Sequence, residues 1–356
     1  MLSPQTIRGL AAECGFDLAG WTPAGPAAHA EEYRRWLADG FQAGMAWMGV
    51  DPELRADPRR RWPEARTLLI VGVSYFVGGP PAEYWQDPQR GRVARYAWGP
   101  DYHEVLVQRL RALGERVRRE AGLASAPPQF VDTAPVLERD AAALAGLGFA
   151  GRNTQLIHPA YGSLVFLAGL ALPFELPAVD VEPLPAGAGC GRCRRCLDAC
   201  PTGALVAERR LDSRRCISYL TIEHRGPIPE ELRPRMGRWV FGCDDCQTVC
   251  PWVRRFSRVA AAPFLEFDPE LHAPRLAELV ALDDAGFRRR FGATPLRRAK
   301  RAGLLRNAVI ALANSGHPEA PAVLEWALAD PDPVVRDCAQ WAVKWCRERD
   351  ADGGPE

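Results

Sequence analysis

The sequence lacks a long hydrophobic run. Its longest apolar stretch, Leu164 to Pro173, is too short to span a bilayer. The opening MLSPQTIRGLAAECG has no basic stretch leading into an apolar segment. Together these point to a cytoplasmic protein with no membrane partner. Net charge is also nearly absent: 45 basic against 44 acidic residues leave +1. No global field draws polyanions, so a nucleic-acid surface must come from local clustering. Lysine is scarce, with only Lys300 and Lys344 among the basic residues. Genome composition alone can produce such a bias, and most of the arginines read as a solvated face.

What is present is ordinary for a globular chain. At 356 residues and 47% hydrophobic content it can bury more than one core, which predicts two or three domains. Eleven cysteines without an export signal read as metal or redox chemistry in a reducing compartment rather than as disulfides. Cys14, Cys338 and Cys346 stand apart and read as buried small hydrophobes.

Residues 1–182 read as mixed α/β. Apolar strand-like runs cover Thr67 to Val77 and Ser163 to Leu172, with a short strand at Gln129 to Val131. A helix between them is capped by Asp101, carries Leu106, Leu110, Leu113 and Val117 at helical spacing, and ends at Gly122. The stretch LPAVDVEPLPAGAG, Leu176 to Gly189, reads as a linker. The cysteine module follows over 183–262. Over 263–356 the texture turns helical, and Leu305 to Leu312 matches Val335 to Ala342 at an offset of 30, as stacked helical hairpins require.

The remaining eight cysteines lie between Cys190 and Cys250. Cys190, Cys193, Cys196 and Cys200-Pro201 spell C-x2-C-x2-C-x3-C-P, the bacterial ferredoxin run. Three thiolates at that spacing wrap one cubane, and the fourth points to a neighbouring cluster, so a second run is required. Cys243, Cys246 and Cys250-Pro251 supply it one cysteine short, and Cys216 is the replacement. The crossed rule assigns Cys190, Cys193, Cys196 and Cys250 to one 4Fe-4S cluster and Cys200, Cys216, Cys243 and Cys246 to the other. Paired zinc sites are the alternative, but zinc calls for neither the third cysteine nor the terminal Cys-Pro. With every thiolate corner filled, the clusters carry electrons and chemistry occurs elsewhere.

Several ordered stretches carry a resemblance across essentially the whole chain. They are GMAWMGVDPELRADPRRRWPEARTLLIVGVSYF, ARYAWGPDYHEVL, VDTAPVLERDAAALAGLGFAGRNTQLIHPAYGSLVFLA, CISYLTIEHRG, the double cysteine run and LRNAVIALANSG. In these the sequence resembles the epoxyqueuosine reductase family, whose core is related to corrinoid reductive dehalogenases. The resemblance implies an α/β N-terminal cobalamin-binding domain, a ferredoxin-like α+β double-cluster module and an all-α HEAT-like C-terminal domain. It implies reduction of the epoxide of epoxyqueuosine at the wobble position of tRNA to queuosine, with two 4Fe-4S clusters and cobalamin as cofactors.

The cofactor itself is not legible in a motif. D-x-H-x-x-G is absent, since Asp101-Tyr102-His103 is followed by Leu106, so the family likeness implies cobalamin without a protein histidine below cobalt. The family's proton donor falls in VDTAPVLER on Asp132. Without the likeness, Asp132 reads as a turn or cap residue. Arg55, Tyr96, Asp132, Arg139, Arg152, Asn153, Ser163 and Ser218 fall in matched motifs as cofactor or substrate contacts. His103 and His158 read as core histidines.

Eight basic residues lie between Arg288 and Arg306, and no acid separates Asp284 from Glu319. Such a stripe can hold phosphates, and Arg297, Arg298, Lys300, Arg301 and Arg306 are its expected tRNA contacts. The expected partners are a tRNA with epoxyqueuosine in its anticodon loop and an unidentified electron donor, acting on a monomer. A corrinoid reductive dehalogenase and a non-catalytic ferredoxin-type carrier are the rival readings. The basic stripe argues against the first, and about 180 residues of patterned N-terminal sequence against the second.

Overall fold

The protein is described from a computed structural model covering residues 2–177, 189–259 and 268–351. The expected domain boundaries near 182 and 262, and most of the expected linker, lie outside the described residues.

Thr67–Ser74, TLLIVGVS, is apolar between its terminal Thr67 and Ser74 and buried at every position, the pattern of a central strand covered on both faces. It pairs with Leu18–Pro23 on one side and Val165–Leu172 on the other, and Gln129–Phe130 closes the far edge. All three pairings are antiparallel, so the α/β region has no parallel crossover pair in this sheet. A Cβ on Gly169 would meet the Phe130 ring at 2.3 Å and the Leu69 carbonyl at 2.5 Å. Glycine there lets the edge strand close in, and that strand delivers Asp132.

The helix Tyr102–Ala121 packs on the sheet through Leu106, Leu110, Leu113 and Val117, all fully buried. The Asp101 carboxylate accepts from the His103 backbone N–H at 3.1 Å, and Gly122 ends the helix in the left-handed region at φ +65°.

The three sequence regions share one hydrophobic core that runs from Ile7 through Phe241 to Leu305 and Val335. Trp239–Phe241, beyond the first cysteine run, pairs in parallel with Arg92–Val93. Asp244 accepts from the Arg95 backbone N–H at 2.8 Å and meets its guanidinium at 3.3 Å, both groups being buried. These contacts fasten the cysteine loops to the sheet region.

Beyond residue 268 the described residues are helical, and the two matching sequence units lie on Lys300–Ser315 and Pro333–Ala351, which pack together. Cys338 and Cys346 are buried and Cys14 packs against the core, as expected of small hydrophobes. Among the described residues no helix is long and apolar enough to cross a membrane.

Candidate cluster ligands and the Asp132 site

Cys190, Cys193 and Cys196 lie before and within the short helix Arg195–Asp198, and Cys250 caps Pro251–Phe256. Cys216 caps Ile217–Ile222, and Cys243 and Cys246 flank the start of Asp245–Thr248. Proximity sorts the thiols into two sets. Cys196 is influenced by Cys190 and Cys250, and Cys250 by Cys190 and Cys193. Cys216 is influenced by Cys200, Cys243 by Cys246 and Cys216, and Cys246 by Cys216 and Cys200. Cys246 also feels Cys196, so the sets adjoin.

The donor chemistry fits iron–sulfur clusters. Backbone N–H groups of Ser218 and Tyr219 point at the Cys216 sulfur, and those of Trp252 and Val253 at Cys250. Ala204 N–H lies 3.2 Å from the Cys200 sulfur and Arg152 N–H 3.4 Å from that of Cys190. Such donors suit anionic sulfur. Burial nevertheless pushes the thiols of Cys216, Cys243 and Cys246 up, so a cationic partner is needed to deprotonate them.

Several residues expected at the cofactor or substrate surface turn instead toward these loops. The Arg152 guanidinium donates to the carbonyls of Cys193 at 2.9 Å and Gly191 at 2.7 Å. Asn153 is buried and reaches the Cys246 carbonyl at 3.4 Å, while the buried Ser163 hydroxyl donates to Gln247 at 2.8 Å. Ser218 contributes its backbone N–H to Cys216. Arg152, Asn153 and Ser163 brace the cysteine module from outside it, whereas Ser218 acts within it.

Tyr96, Arg55 and Arg139 surround Asp132. A Cβ on Gly242 would meet Ala94 at 2.5 Å, so the loop carrying Cys243 lies directly against the Ala94–Tyr96 turn. Tyr96 stands edge-on to Tyr102, which stacks on Phe166 at 4.4 Å. Arg139 is exposed and donates to the Thr154 carbonyl at 2.8 Å, and Arg55 reaches the Ala134 carbonyl at 3.4 Å.

Asp132 follows the edge strand at φ +46°, in the left-handed region, and its N–H donates to Glu138 Oε1 at 2.6 Å. Its side chain is 58% exposed, so the carboxyl presents to the mouth of the site. Asp132 Oδ2 accepts from the Tyr102 hydroxyl at 3.1 Å and faces His103 Nε2 at 2.9 Å. His103 Nδ1 faces the buried Asp101 Oδ1 at 2.7 Å, and Asp101 Oδ2 meets Arg297 at 2.6 Å.

The charges follow from these contacts. Burial opposes the charge on His103, but the flanking Asp101 and Asp132 win and raise it to about 9. Burial works against the Asp132 charge as well, yet the hydrogen bond and charge of His103 hold its carboxyl low. Burial, helped by the neighbouring Asp132 charge, lifts Glu138 to about 8. At neutral pH the site holds an ionised Asp132 between a protonated imidazole and a protonated carboxylic acid. His103 is thus no core histidine. Its position two residues after a capping aspartate was the available sequence signal.

The basic stripe is broken up by the fold. Arg306, expected on the RNA surface, is fully buried and donates to the carbonyls of Leu220, His224 and Gly226 at 2.6, 2.9 and 2.8 Å. Arg301 is mostly buried against Asp330 at 2.6 Å, and Arg290 pairs with Glu270 and Glu278. Both Arg301 and Arg306 are therefore structural, because acids and carbonyls remote in sequence meet them. Arg297 and Arg298 remain half-exposed while engaging Asp101 and Glu223, and Arg288, Arg289 and Lys300 are exposed.

Residues 55–133 match the protein family described as "Epoxyqueuosine reductase QueG, DUF1730", and residues 189–253 match the "4Fe-4S double cluster binding domain". The chain is 41% identical over 341 residues to the epoxyqueuosine reductase of Xanthomonas campestris pv. campestris, covering 95% of this chain and 94% of that protein. It is 39% identical to the corresponding protein of Pseudomonas aeruginosa, covering 96% and 93%. Among solved structures, an epoxyqueuosine reductase with an epoxyqueuosine-modified tRNA-Tyr stem loop superposes with a TM-score of 0.84 at 30% identity, covering 99% of this chain and 94% of the other.

Proposed function

The chain belongs to the epoxyqueuosine reductase family, and from this we infer that it reduces the epoxide of epoxyqueuosine in tRNA to the alkene of queuosine. Two electrons and two protons convert the epoxide to the alkene and water. The observation that carries the reading is the half-exposed Asp132 carboxyl, backed by His103 at 2.9 Å and bonded by Tyr102 at 3.1 Å.

Residues 1–182 serve as the catalytic and cobalamin-binding part, 183–262 as the cluster part and 263–356 as the helical, tRNA-binding part. The eight clustered cysteines would hold two 4Fe-4S clusters in the sets above. The Asp132 surface suits a corrinoid chemically, since half-buried ring faces of Tyr96 and Tyr102 adjoin the exposed Asp132 and Arg139 side chains. His103 has both ring nitrogens engaged by carboxylates, so it offers no free lower ligand, in line with a corrinoid held without protein histidine. When bound, the clusters and corrinoid supply the electrons of the reaction.

The chain's own residues handle the protons. Asp132 stands at the opening and delivers a proton to the departing epoxide oxygen. Excluding water from its carboxyl would raise its proton affinity, and the 2.9 Å contact then lets a proton pass from His103 Nε2 to Asp132 Oδ2. Asp101 holds the imidazole in place through Nδ1. Glu138 keeps a second proton beside the Asp132 backbone, so two protonated groups match the two protons consumed.

The test is anaerobic reconstitution, followed by iron and cobalt analysis and an assay on an anticodon stem loop carrying the epoxide, with and without cobalamin. Turnover that depends on cobalamin supports the reading. Equal turnover without it overturns the cofactor assignment.

A further inference from the structure

The two cysteine sets differ in their surroundings. The loop of Cys243 and Cys246 faces inward, against Tyr96 and Asn153. The set of Cys190, Cys193, Cys196 and Cys250 is bordered by exposed side chains, and five of those are arginines: Arg192, Arg194, Arg195, Arg254 and Arg255. Among the described residues, the acids Asp198 and Glu208 are already engaged, Asp198 with Arg194 at 3.0 Å and Glu208 with Arg152 at 3.2 Å.

The two arginine groups belong to one surface. Trp252 Nε1 donates to the Gly189 carbonyl at 3.1 Å, which ties the helix after Cys250 to the loop before Cys190. Trp252 packs against Phe149 at 5.5 Å and Phe256 at 5.2 Å, and Phe256 is 38% exposed. Arg209, also exposed, donates to the carbonyl of Ala150, the residue next to Phe149. An aromatic file with an open end is thereby flanked by arginines beside the set of Cys190, Cys193, Cys196 and Cys250.

We propose that this face is the docking surface for an acidic protein that carries a one-electron redox centre. The proposal rests on the reading that the cysteines hold electron-carrying clusters. A nearly neutral chain that concentrates exposed arginine at one thiol set creates a local positive field able to steer an acidic partner. Guanidinium forks pair with carboxylates, and the exposed Phe256 supplies apolar contact at the centre. Each encounter passes one electron, oxidising the carrier by one and reducing the adjoining cluster by one, with no bond made or broken. Two encounters supply the two electrons that the epoxide consumes.

The test uses the reconstituted full chain and photoreduced flavodoxin, an acidic flavoprotein, as the probe. Arg192, Arg195, Arg254 and Arg255 are replaced together by glutamate, and in a second variant by lysine. Complex formation is followed by NMR line broadening of labelled flavodoxin, and cluster reduction by anaerobic stopped flow. The expected result is a bimolecular rate lower by roughly tenfold or more in the glutamate variant, with its salt dependence lost and line broadening abolished. The lysine variant should stay near the parent, and reduction by dithionite should be unchanged in both. Equal binding and equal rate for the glutamate variant would overturn the proposal. So would a loss of affinity for the tRNA stem loop with flavodoxin binding intact, which would make the face an RNA contact. Failure of the parent to reduce the epoxide with dithionite would instead count against the functional reading, leaving the binding result to stand by itself.

Discussion

His103 Nε2 lies 2.9 Å from Asp132 Oδ2, and the same ring is held from behind by Asp101 at 2.7 Å. An exposed carboxylate is a poor acid at neutral pH, so the relationship matters: the proton resides on the ring and the carboxylate is its route outward. Asp132→Asn should retain both clusters and lower epoxide reduction by roughly 10²-fold or more, the usual scale for losing a general acid. Iron analysis and single-turnover assays check it, and unchanged turnover would remove Asp132 from the reaction.

His103→Gln separates supply from delivery. Turnover should fall roughly tenfold or more while the variant keeps its iron, and the alkaline limb of the pH profile should move. In the parent, activity should decline as pH rises through about 8, where Glu138 loses its proton, and further through about 9, where His103 does. The stability sign follows as well. His103 has a folded pKa raised above its ordinary 6.5, so its contribution is complete below 6.5 and is lost as pH rises through about 9. Denaturant melts of parent and variant across that window should converge at the alkaline end.

Arg306→Met tests the correction to the basic stripe. The substitution keeps much of the volume but leaves three backbone carbonyls without their donor, which should cost roughly 3 kcal/mol or more of stability. Urea unfolding measures this. Loss of stem-loop affinity with unaltered stability would return Arg306 to the RNA surface.

Arg298→Ala and Lys300→Ala should behave in the opposite way. Each should weaken stem-loop binding with little change in melting, and each phosphate contact removed should lower the salt slope of binding by about one. Fluorescence anisotropy at several salt concentrations reads both.

Cys216→Ala should cost about half the iron, since one of the two clusters loses a corner, whereas Cys338→Ala should leave the iron content intact. Iron analysis after anaerobic reconstitution decides between them.

The double cysteine run, the strand at Thr67–Ser74 and the Asp101-capped helix were all legible in the sequence. Each depends on short-range spacing: thiols two or three residues apart, an unbroken apolar run, a cap four or five residues before the first core leucine. The proposal that Cys216 is a ligand rests on counting corners, since eight iron positions need eight thiolates. What only the tertiary structure decided is which way individual side chains face. His103 and Asp132 are 29 residues apart and meet because Gly169 lets the edge strand close beside the helix start. Arg301 and Arg306 read as open cations until Asp330 and the turn at 220–226 fold over them. Arg152, Asn153 and Ser163 lie in the motifs expected to touch cofactor, yet their partners come from the cysteine loops. Spacing along the chain determines local geometry and donor type, whereas exposure and pairing depend on segments brought together by a shared core, and no local pattern encodes those meetings.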